Sequence, residues 1–193
     1  MRDPLARRIK PGTVLNDVFA HEDMLPTLLA AAGDPNVKEN LLNGTKVGAK
    51  TAKVHLDGYD ITDALAGKSP SPRHEFFYFN DDGSLVGLRY DQWKIVFAEQ
   101  REHGLNVWEE PFVQLRLPKL FNLRSDPFET ADHEGMDYER WRVEHLFVMV
   151  PAQQYVGKFL ATFKAFPPSQ KPGSFSIDAA METLQRGAQG GSS

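Results

Sequence analysis

HEDMLPTLLAAAG (residues 21–33) and EFFYFN (residues 75–80) are the two segments that decide the fold of this chain. The first predicts a short helix. Asp23 is the expected N-cap, because its carboxylate can accept hydrogen bonds from backbone N–H groups that lack a helical partner. Pro26 falls in the first turn, where a missing N–H costs little. Gly33 is expected to end the helix in the left-handed conformation.

From residue 75 onward the sequence has the periodicity of β-strands. EFFYFN is followed by Asp81-Asp82-Gly83, which favours a hairpin because Asp tolerates positive φ and Gly prefers it. Two further apolar segments, LVGLRY (85–90) and QWKIVFA (92–98), flank a turn at Asp91, and KLFNL (119–123) follows a polar loop. The pattern predicts a four-stranded antiparallel sheet.

The residues after the sheet predict the helices that cover it. Four apolar residues recur at i, i+3, i+4 and i+7 and form one stripe: Val156, Phe159, Leu160 and Phe163. Pro151 predicts either a helix that ends near residue 150 and another that opens at 151, or one kinked helix. A short last helix is expected over residues 177–186, before a flexible tail. Residues 34–53 are polar and predict a loop that can include a short helical turn.

The composition is that of one soluble globular domain. The 193 residues are 41% hydrophobic and 25% charged, which is sufficient for a buried core. The net charge of −4 argues against a nucleic-acid binder, which normally carries a basic surface. The absence of Cys excludes disulfides and thiolate metal sites and is compatible with a periplasmic or a cytoplasmic location. The longest apolar run, residues 146–150, is far shorter than the roughly 20 residues that span a bilayer, so no membrane span is expected.

The order of these segments resembles the later part of arylsulfatases, members of the alkaline-phosphatase-like superfamily. In that family an Asp-x-x-Pro-Thr-Leu helix with an Ala-Gly stop precedes a Leu-Asp-Gly-x-Asp segment, a Leu-x-Gly turn, and a Ser-x-Arg segment that leads into a Phe-Tyr strand. The matching positions here are residues 23–33, 56–60, 65–67 and 71–78. The resemblance continues at Leu88-Arg89, Trp93-Lys94, LFNL (120–123) and DPFE (126–129), and it covers most of residues 11–130.

The resemblance implies a parent enzyme that hydrolyses sulfate esters with calcium and a formylglycine, which is made by oxidising a Cys or Ser in a Cys/Ser-x-Pro-x-Arg segment. This chain has no Cys, and its only similar segment, SPSPR at residues 69–73, has a displaced Pro and lies in the linker before the first strand. The family's calcium carboxylates and its Asp-Asn pair are expected upstream of Met1. We therefore predict a C-terminal fragment that has no catalytic residue, metal ligand or cofactor of its own.

The resemblance also implies a division of the chain. Residues 1–70 are predicted to be the C-terminal end of the catalytic domain, residues 71–187 the sulfatase C-terminal subdomain, and residues 188–193 a flexible tail. The predicted fold class is α+β: a four-stranded antiparallel sheet packed by C-terminal helices and preceded by a helix-and-loop piece of the catalytic domain.

A group of carboxylates at Asp57, Asp60 and Asp63 raises the question of a divalent cation site. The segment lacks the longer alternation of oxygen donors and the distant bidentate Glu that a metal loop needs. The histidines of the chain are scattered, without the spacing of a zinc site. A structural turn is therefore the favoured interpretation.

The polar loop over residues 99–118 is the favoured place for substrate contacts. Arg101, His103 and Trp108 combine a cation, a hydrogen-bond donor and a stacking surface, which suits recognition of an anionic aromatic ester. In sulfatases the corresponding loop reaches toward the mouth of the pocket, so these three residues are candidates for the substrate rim. The alternative is that Trp108 and Phe112 pack beneath the loop and the charges are solvated.

Three functions are open on this basis. The first is a C-terminal fragment of an arylsulfatase-like enzyme, which supports the fold and the pocket rim, is inactive alone and requires the missing N-terminal catalytic half. The second is a separately encoded module that docks onto a catalytic partner, or self-associates, through an exposed apolar face of residues 14–33. The third is part of a related phosphoester or phosphonate hydrolase.

Overall fold

The computed structural model describes residues 9–168 and Gly173. The first part contains a 3₁₀ turn (His21–Asp23), α1 (Met24–Ala32), α2 (Val37–Asn43), β1 (Thr45–Val47), β2 (Lys50–Ala52) and α3 (Thr62–Leu65). The second part contains β3 (Glu75–Phe79), β4 (Leu85–Tyr90), β5 (Trp93–Glu99), β6 (Val113–Asn122), α4 (Ala131–Glu134), α5 (Tyr138–Glu144) and α6 (Met149–Thr162).

Helix α1 lies where the sequence predicts it, but its N-cap is used differently. Asp23 occupies the N-cap position, and Gly33 ends the helix with a φ of 108°. The Asp23 carboxylate makes no hydrogen bond to the N–H groups of α1, so the predicted capping contact is wrong. The carboxylate instead meets a buried guanidinium, and a charged donor forms a stronger hydrogen bond than a neutral helix N–H.

The loop with a short helical turn predicted over residues 34–53 is correct only for its helical part, which is α2; the β1–β2 hairpin was not predicted. Gly44 and Gly48 have φ values of 94° and 62°, which let the chain leave α2 and then reverse between two short strands. Val37 is the buried anchor of α2 at 6% exposure. Because few of its apolar residues are buried, the segment has the polar composition of a loop although it forms a helix and a hairpin.

The four-stranded antiparallel sheet is confirmed, with the simple order β3-β4-β5-β6. Its turns use the residues expected from the sequence, since Gly83 and Asp91 have φ values of 76° and 47°. One difference is that β6 begins at Val113 rather than near residue 119. Lys119 pairs with Val96 but Gln114 pairs with Ala98, so residues 115–118, including the proline, fall in a break of register. A break of this kind accommodates a proline, which has no N–H to donate to a neighbouring strand.

The C-terminal helices cover one face of the sheet, but they divide earlier than predicted. Helix α5 ends at Glu144, a 3₁₀ turn follows at Leu146–Val148, and Pro151 lies within the first turn of α6. A proline is tolerated there because the first N–H groups of a helix have no intrahelical partner. The predicted helices over residues 177–186 and the predicted tail over 188–193 lie outside the described residues.

The core forms where α6 and its preceding turn meet the sheet. Its fully buried members are Leu88, Tyr90, Ile95, Leu120, Val148 and Ala152. The Tyr90 hydroxyl donates to the Val148 carbonyl at 2.9 Å, and the Phe159 ring stacks on the Phe77 ring with centroids 4.1 Å apart. Leu160 was expected in the same stripe but is 46% exposed, because the face of α6 that meets the sheet runs through Ala152, Tyr155, Val156 and Phe159.

Candidate functional site

A buried ion pair joins the start of α1 to the segment that enters β3. Asp23 is 0% exposed and Arg73 is 3% exposed. The guanidinium binds the carboxylate through two hydrogen bonds, from Nε to Oδ2 at 2.7 Å and from Nη2 to Oδ1 at 2.6 Å. This two-pronged geometry is the strong form of an Arg–carboxylate contact. It ties together two segments that are 50 positions apart in the sequence.

The Asp23 carboxylate is fully supplied with donors. Besides Arg73, it accepts the backbone N–H of Ala20 at 2.9 Å and the backbone N–H of Tyr59 at 2.7 Å. Burial alone would raise the pKa of Asp23, but the hydrogen bonds from Arg73, Tyr59 and Ala20 outweigh it and hold the pKa below its usual value. The buried Asp23 carboxylate is therefore held in its ionised form.

Arg73 has a second set of partners. Its Nη2 lies 2.6 Å from Oε1 of Glu22, and its Nη1 donates to the Glu75 carbonyl at 2.9 Å. Its guanidinium also lies 4.9 Å from the centre of the Tyr59 ring. Burial opposes the charge of Arg73, yet the hydrogen bonds to Asp23 and the attraction of Glu22 raise its pKa further. Glu22 itself has a raised pKa, because its own desolvation exceeds the effect of Arg73.

Other residues of the N-terminal motifs complete the same junction. The Thr27 hydroxyl donates to the Asp23 carbonyl at 2.6 Å and accepts the N–H of Ile61 at 3.1 Å. Gly58 lies so close to the start of α1 that a Cβ added to it would be 1.9 Å from the Glu22 carbonyl oxygen. A residue with any side chain therefore cannot occupy this position without moving the backbone. These contacts hold residues 56–61 against α1.

An open cleft of about 550 Å³ lies beside this junction. Its charged lining residues are Glu22, Lys38, Asp57, Arg73, Glu75 and Lys158, and its aromatic lining residues, apart from Tyr59 of the junction, are Phe77, Phe79, Tyr155 and Phe159. The charged side chains come mainly from the junction, whereas the aromatic ones come from β3 and α6. We call this feature the junction cleft; its volume is in the range that accepts a small molecule.

The carboxylates considered as a cation site do not converge. Their separate partners are His55 for Asp57 at 3.2 Å, Thr62 for Asp60 at 2.9 Å, and Lys68 for Asp63 at 3.4 Å. Within residues 9–168 and Gly173, no group of three His, Asp or Glu side chains is arranged to hold a metal ion. The described residues thus do not fit a calcium ion.

The loop between β5 and β6 carries the predicted rim residues. Arg101, His103 and Trp108 are all exposed, Trp108 at 80%. The packing of Trp108 beneath the loop, considered above as an alternative, is therefore wrong. None of these three residues lines the junction cleft.

The Gln100 side chain links the two ends of this loop. Gln100 donates through Nε2 to the Glu110 carbonyl at 2.8 Å and accepts the N–H of Glu102 at 3.0 Å. The 3₁₀ turn Gly104–Trp108 lies between these two contacts, and Leu105 within it is 82% exposed. Trp108 and Leu105 are thus presented to the outside by an internally bonded loop.

Among known proteins, the chain is similar to arylsulfatases. The chain is 27% identical to bovine arylsulfatase A over 132 residues, which is 63% of this chain and 23% of that protein. It is 26% identical to human arylsulfatase A over 138 residues, which is 66% of this chain and 24% of that protein. No family model matches the chain.

A solved structure shares the fold of this chain. The crystal structure of the PsFucS1 sulfatase from Pseudoalteromonas sp. superposes with a TM-score of 0.59 and 23% identity, covering 81% of this chain and 28% of that one. These similarities support a relation between this chain and the C-terminal portion of sulfatases. The chain spans about a quarter of the length of the curated relatives that it matches.

The structure shows what the motifs that resemble those of sulfatases do in this chain. Arg73 entered the sequence argument as the last residue of the Ser-x-Arg pattern and of the SPSPR segment, and in the structure it is the centre of the junction. Lys38 and Lys158, both in the junction cleft, have no motif that could reveal them. Lys38 lies in a polar segment and Lys158 lies among apolar residues of α6, and only the fold places them in one cavity. Across the described part of the chain, no helix is long and apolar enough to cross a membrane.

Proposed function

We propose that this chain supplies the C-terminal part of an arylsulfatase-like sulfuric ester hydrolase, where it supports the fold and forms part of the substrate rim. In this proposal the nucleophile, as a formylglycine, and the calcium ligands belong to the remainder of the full-length parent. The chain alone does not turn over sulfate esters. The division at residues 70 and 71, between the end of a catalytic domain and a C-terminal subdomain, is part of the same proposal.

One observation carries the proposal: the polar side chains of the motifs shared with sulfatases form hydrogen bonds and ion pairs within the chain itself. Asp23 accepts four hydrogen bonds, Arg73 binds two carboxylates, and Thr27 both donates and accepts within the junction. Groups engaged in this way are not available to attack or protonate a substrate. The motifs therefore support a scaffolding role for this part of the sequence.

A turnover assay tests the proposal directly. Purified chain is incubated with 4-nitrophenyl sulfate, and 4-nitrophenol release is compared with a protein-free control. We expect no difference. Release that disappears when one of the chain's own side chains is replaced would contradict the proposal, because it would place catalytic chemistry on these residues.

The adjoining coding sequence distinguishes sulfatase from phosphatase chemistry. We expect a Cys/Ser-x-Pro-x-Arg segment upstream in the reading frame. A Thr or Ser nucleophile without that segment would instead favour a related phosphoester or phosphonate hydrolase.

The rim residues have their own test in an assembled enzyme. Arg101, His103 and Trp108 are exposed on one loop, and an exposed Trp can stack on an aryl group at little conformational cost. Replacing Trp108 by Ala should raise KM for an aryl sulfate and leave kcat nearly unchanged. An unchanged KM would remove this residue from the substrate rim.

A second candidate function is docking onto a catalytic partner, and one observation favours it. Helix α1 exposes Met24 at 38%, Leu25 at 50% and Leu28 at 55%, although its other face is buried in the junction. Apolar side chains grouped in this way are typical of a contact surface. Size-exclusion chromatography with light scattering tests it: self-association that is lost in Leu28→Glu supports an adhesive face, and a strictly monomeric chain argues against one.

A further inference from the structure

The chain contains a single Asn-Gly dipeptide, formed by Asn43 and Gly44. Asn-Gly commonly forms the tight turn of a β-hairpin, but here it lies before β1, at the end of α2. The β1–β2 hairpin instead reverses at Gly48, whose φ is 62°. The hairpin turn therefore does not account for this dipeptide.

The Asn43 side chain is exposed and has no hydrogen-bond partner among the described residues. Asn40, three residues earlier, differs because its side-chain amide donates to the Asp34 carboxylate at 3.3 Å. The residue after Asn40 is Leu41, whereas the residue after Asn43 is a glycine. Because glycine has no Cβ, its backbone nitrogen can approach a neighbouring side chain closely. The Asn43 amide carbon is thus accessible to the backbone nitrogen that follows it.

One hydrogen bond holds that nitrogen in place. The Gly44 N–H donates to the Leu41 carbonyl at 3.2 Å, where α2 ends. The same carbonyl also accepts the Val54 N–H at 3.0 Å. Leu41 therefore keeps a partner when Gly44 releases it, and the half-buried Gly44 can turn its N–H toward water. Opening of this last turn leaves no buried carbonyl without a donor, which would otherwise be the main cost.

Helix α2 is itself a weak barrier to this opening. It has seven residues, and its buried side chain is Val37 at 6% exposure. Helices of this length are marginal without tertiary contacts, and helix ends open at little free-energy cost. Val37 is the first residue of α2, at the opposite end from Gly44. No buried side chain of α2 therefore anchors its final turn.

We propose that Asn43 and Gly44 form a site of spontaneous deamidation, at which the chain modifies itself without an enzyme or a cofactor. The Gly44 backbone nitrogen loses its proton to solvent and attacks Cγ of Asn43, which forms a succinimide ring. The Cγ–Nδ2 bond breaks, and the amide leaves as ammonia after taking up a proton from water. Water then adds to either ring carbonyl and opens the ring to aspartate, or to isoaspartate, in which the backbone runs through the side-chain carbon. The net change replaces NH₂ by a hydroxyl, which ionises, with water consumed and ammonia released.

Both products change the end of α2. Each adds a negative charge beside the carbonyl end of the helix, which already carries a partial negative charge, so the last turn is weakened. Isoaspartate also lengthens the backbone by a methylene group directly before Gly44. Gly44 has a φ of 94° and leads into β1. The modification therefore acts on the connection between α2 and the β1–β2 hairpin.

Peptide mapping of the purified chain tests the proposal. The chain is incubated for days in mildly alkaline buffer, and samples are digested briefly with trypsin, which cuts after Lys38 and Lys46. The resulting peptide, residues 39–46, contains both Asn43 and Asn40, so each sample carries its own reference. Liquid chromatography with mass spectrometry separates the two products, and fragmentation assigns the modified position. We expect both products at Asn43, formed at least about tenfold faster than at Asn40, a difference of about 1.4 kcal/mol in barrier height.

Two matched variants locate the reaction. Asn43→Gln should abolish the products at this position, because attack on the longer side chain closes a larger ring that forms more slowly. Asn40→Gln should leave the rate at Asn43 unchanged. A synthetic peptide of residues 39–46 gives the rate without the fold. Because a helix end opens at little cost, the intact chain should react within about tenfold of this peptide.

Four results would each overturn the proposal. They are an unmodified Asn43 after the peptide has largely converted, equal conversion at Asn40 and Asn43, products that persist in Asn43→Gln, and a rate in the intact chain more than about tenfold below that of the peptide. Asn40 and Asn43 are both exposed, so both variants are expected to fold. None of these results depends on sulfate ester turnover, so this test is independent of the proposed function.

Discussion

Replacing Asp23 by Asn removes one charge from the junction while keeping the size of the side chain. Each Asp23 oxygen accepts two donors: Oδ1 from Arg73 Nη2 and the Tyr59 N–H, and Oδ2 from Arg73 Nε and the Ala20 N–H. In whichever way the Asn amide is oriented, its NH₂ group faces two donors and cannot accept from either. The variant therefore loses the ion pair and also leaves N–H groups of the interior without an acceptor.

The expected loss of stability follows from the burial of both partners. Breaking a buried ion pair by removing one partner costs about 3–5 kcal/mol. Glu22 still lies 2.6 Å from Arg73 and can compensate part of its charge, so we expect the lower end, about 3 kcal/mol. A loss of this size is a large fraction of the roughly 5–15 kcal/mol that stabilises an ordinary domain.

Urea unfolding followed by far-UV circular dichroism measures this loss. Asp63→Asn is the matched control, because Asp63 and Lys68 are 68% and 65% exposed at a separation of 3.4 Å, and its effect should stay below about 0.5 kcal/mol. A double-mutant cycle with Arg73→Met should show that the double variant is less destabilised than the sum of the single variants. Additive effects, or a loss below about 1 kcal/mol in Asp23→Asn, would refute the assignment of Asp23 and Arg73 as a stabilising buried pair.

Four other predictions rest on single features of the structure. Gly58→Ala should destabilise the chain by more than about 2 kcal/mol in urea unfolding, because its Cβ would lie 1.9 Å from the Glu22 carbonyl oxygen. Gly157→Ala, in open space within α6, should instead stabilise it by about 0.5–1 kcal/mol, and a loss there would contradict the described packing. The pKa of Asp23 is lowered in the folded chain, so its stabilising contribution is present above the unfolded pKa of about 3.9 and is lost as the pH falls through the folded pKa. Unfolding free energies measured from pH 5 to pH 2 should therefore fall more steeply for the wild type than for Asp23→Asn, and parallel curves would count against that pKa. Trp108→Ala should change stability by less than about 0.5 kcal/mol, since Trp108 is 80% exposed, and a thermal melt showing a larger loss would mean that the loop packs on this ring.

The sheet is the part of the fold that local sequence patterns predict best. Strand alternation and the turn residues Gly83 and Asp91 act over a few neighbouring positions, and each strand pairs with the next one along the chain. The start of β6 at Val113 was missed because Pro118 argues locally against a strand, whereas a break of register in the pairing with β5 accommodates it. Only a short helical turn was predicted where α2 lies, because this helix depends on a buried Val37 rather than on an apolar stripe of its own.

The candidate site was predicted only in part. Trp108 was correctly expected on a loop, but whether it is buried depends on what packs beneath the loop, and the structure leaves it exposed. Lys38 and Lys158 come from distant segments, so their shared cleft exists only after α6 has packed on the sheet. Local sequence patterns do not predict that two distant residues line the same cleft, unless both belong to a known motif.

The sequence alone determined the α+β class, the antiparallel order of the strands, the Gly33 end of α1 and the resemblance to sulfatases, because these depend on local propensity and on the order of short motifs. Only the tertiary structure decided that the Asp23 carboxylate serves Arg73 instead of the helix that follows it. The reason is energetic: a carboxylate at a solvated helix end needs no more than a backbone N–H, but a carboxylate that folding buries together with a guanidinium must pair with that charge. For Asp23 the deciding contact is with Arg73, which lies 50 residues further along the chain.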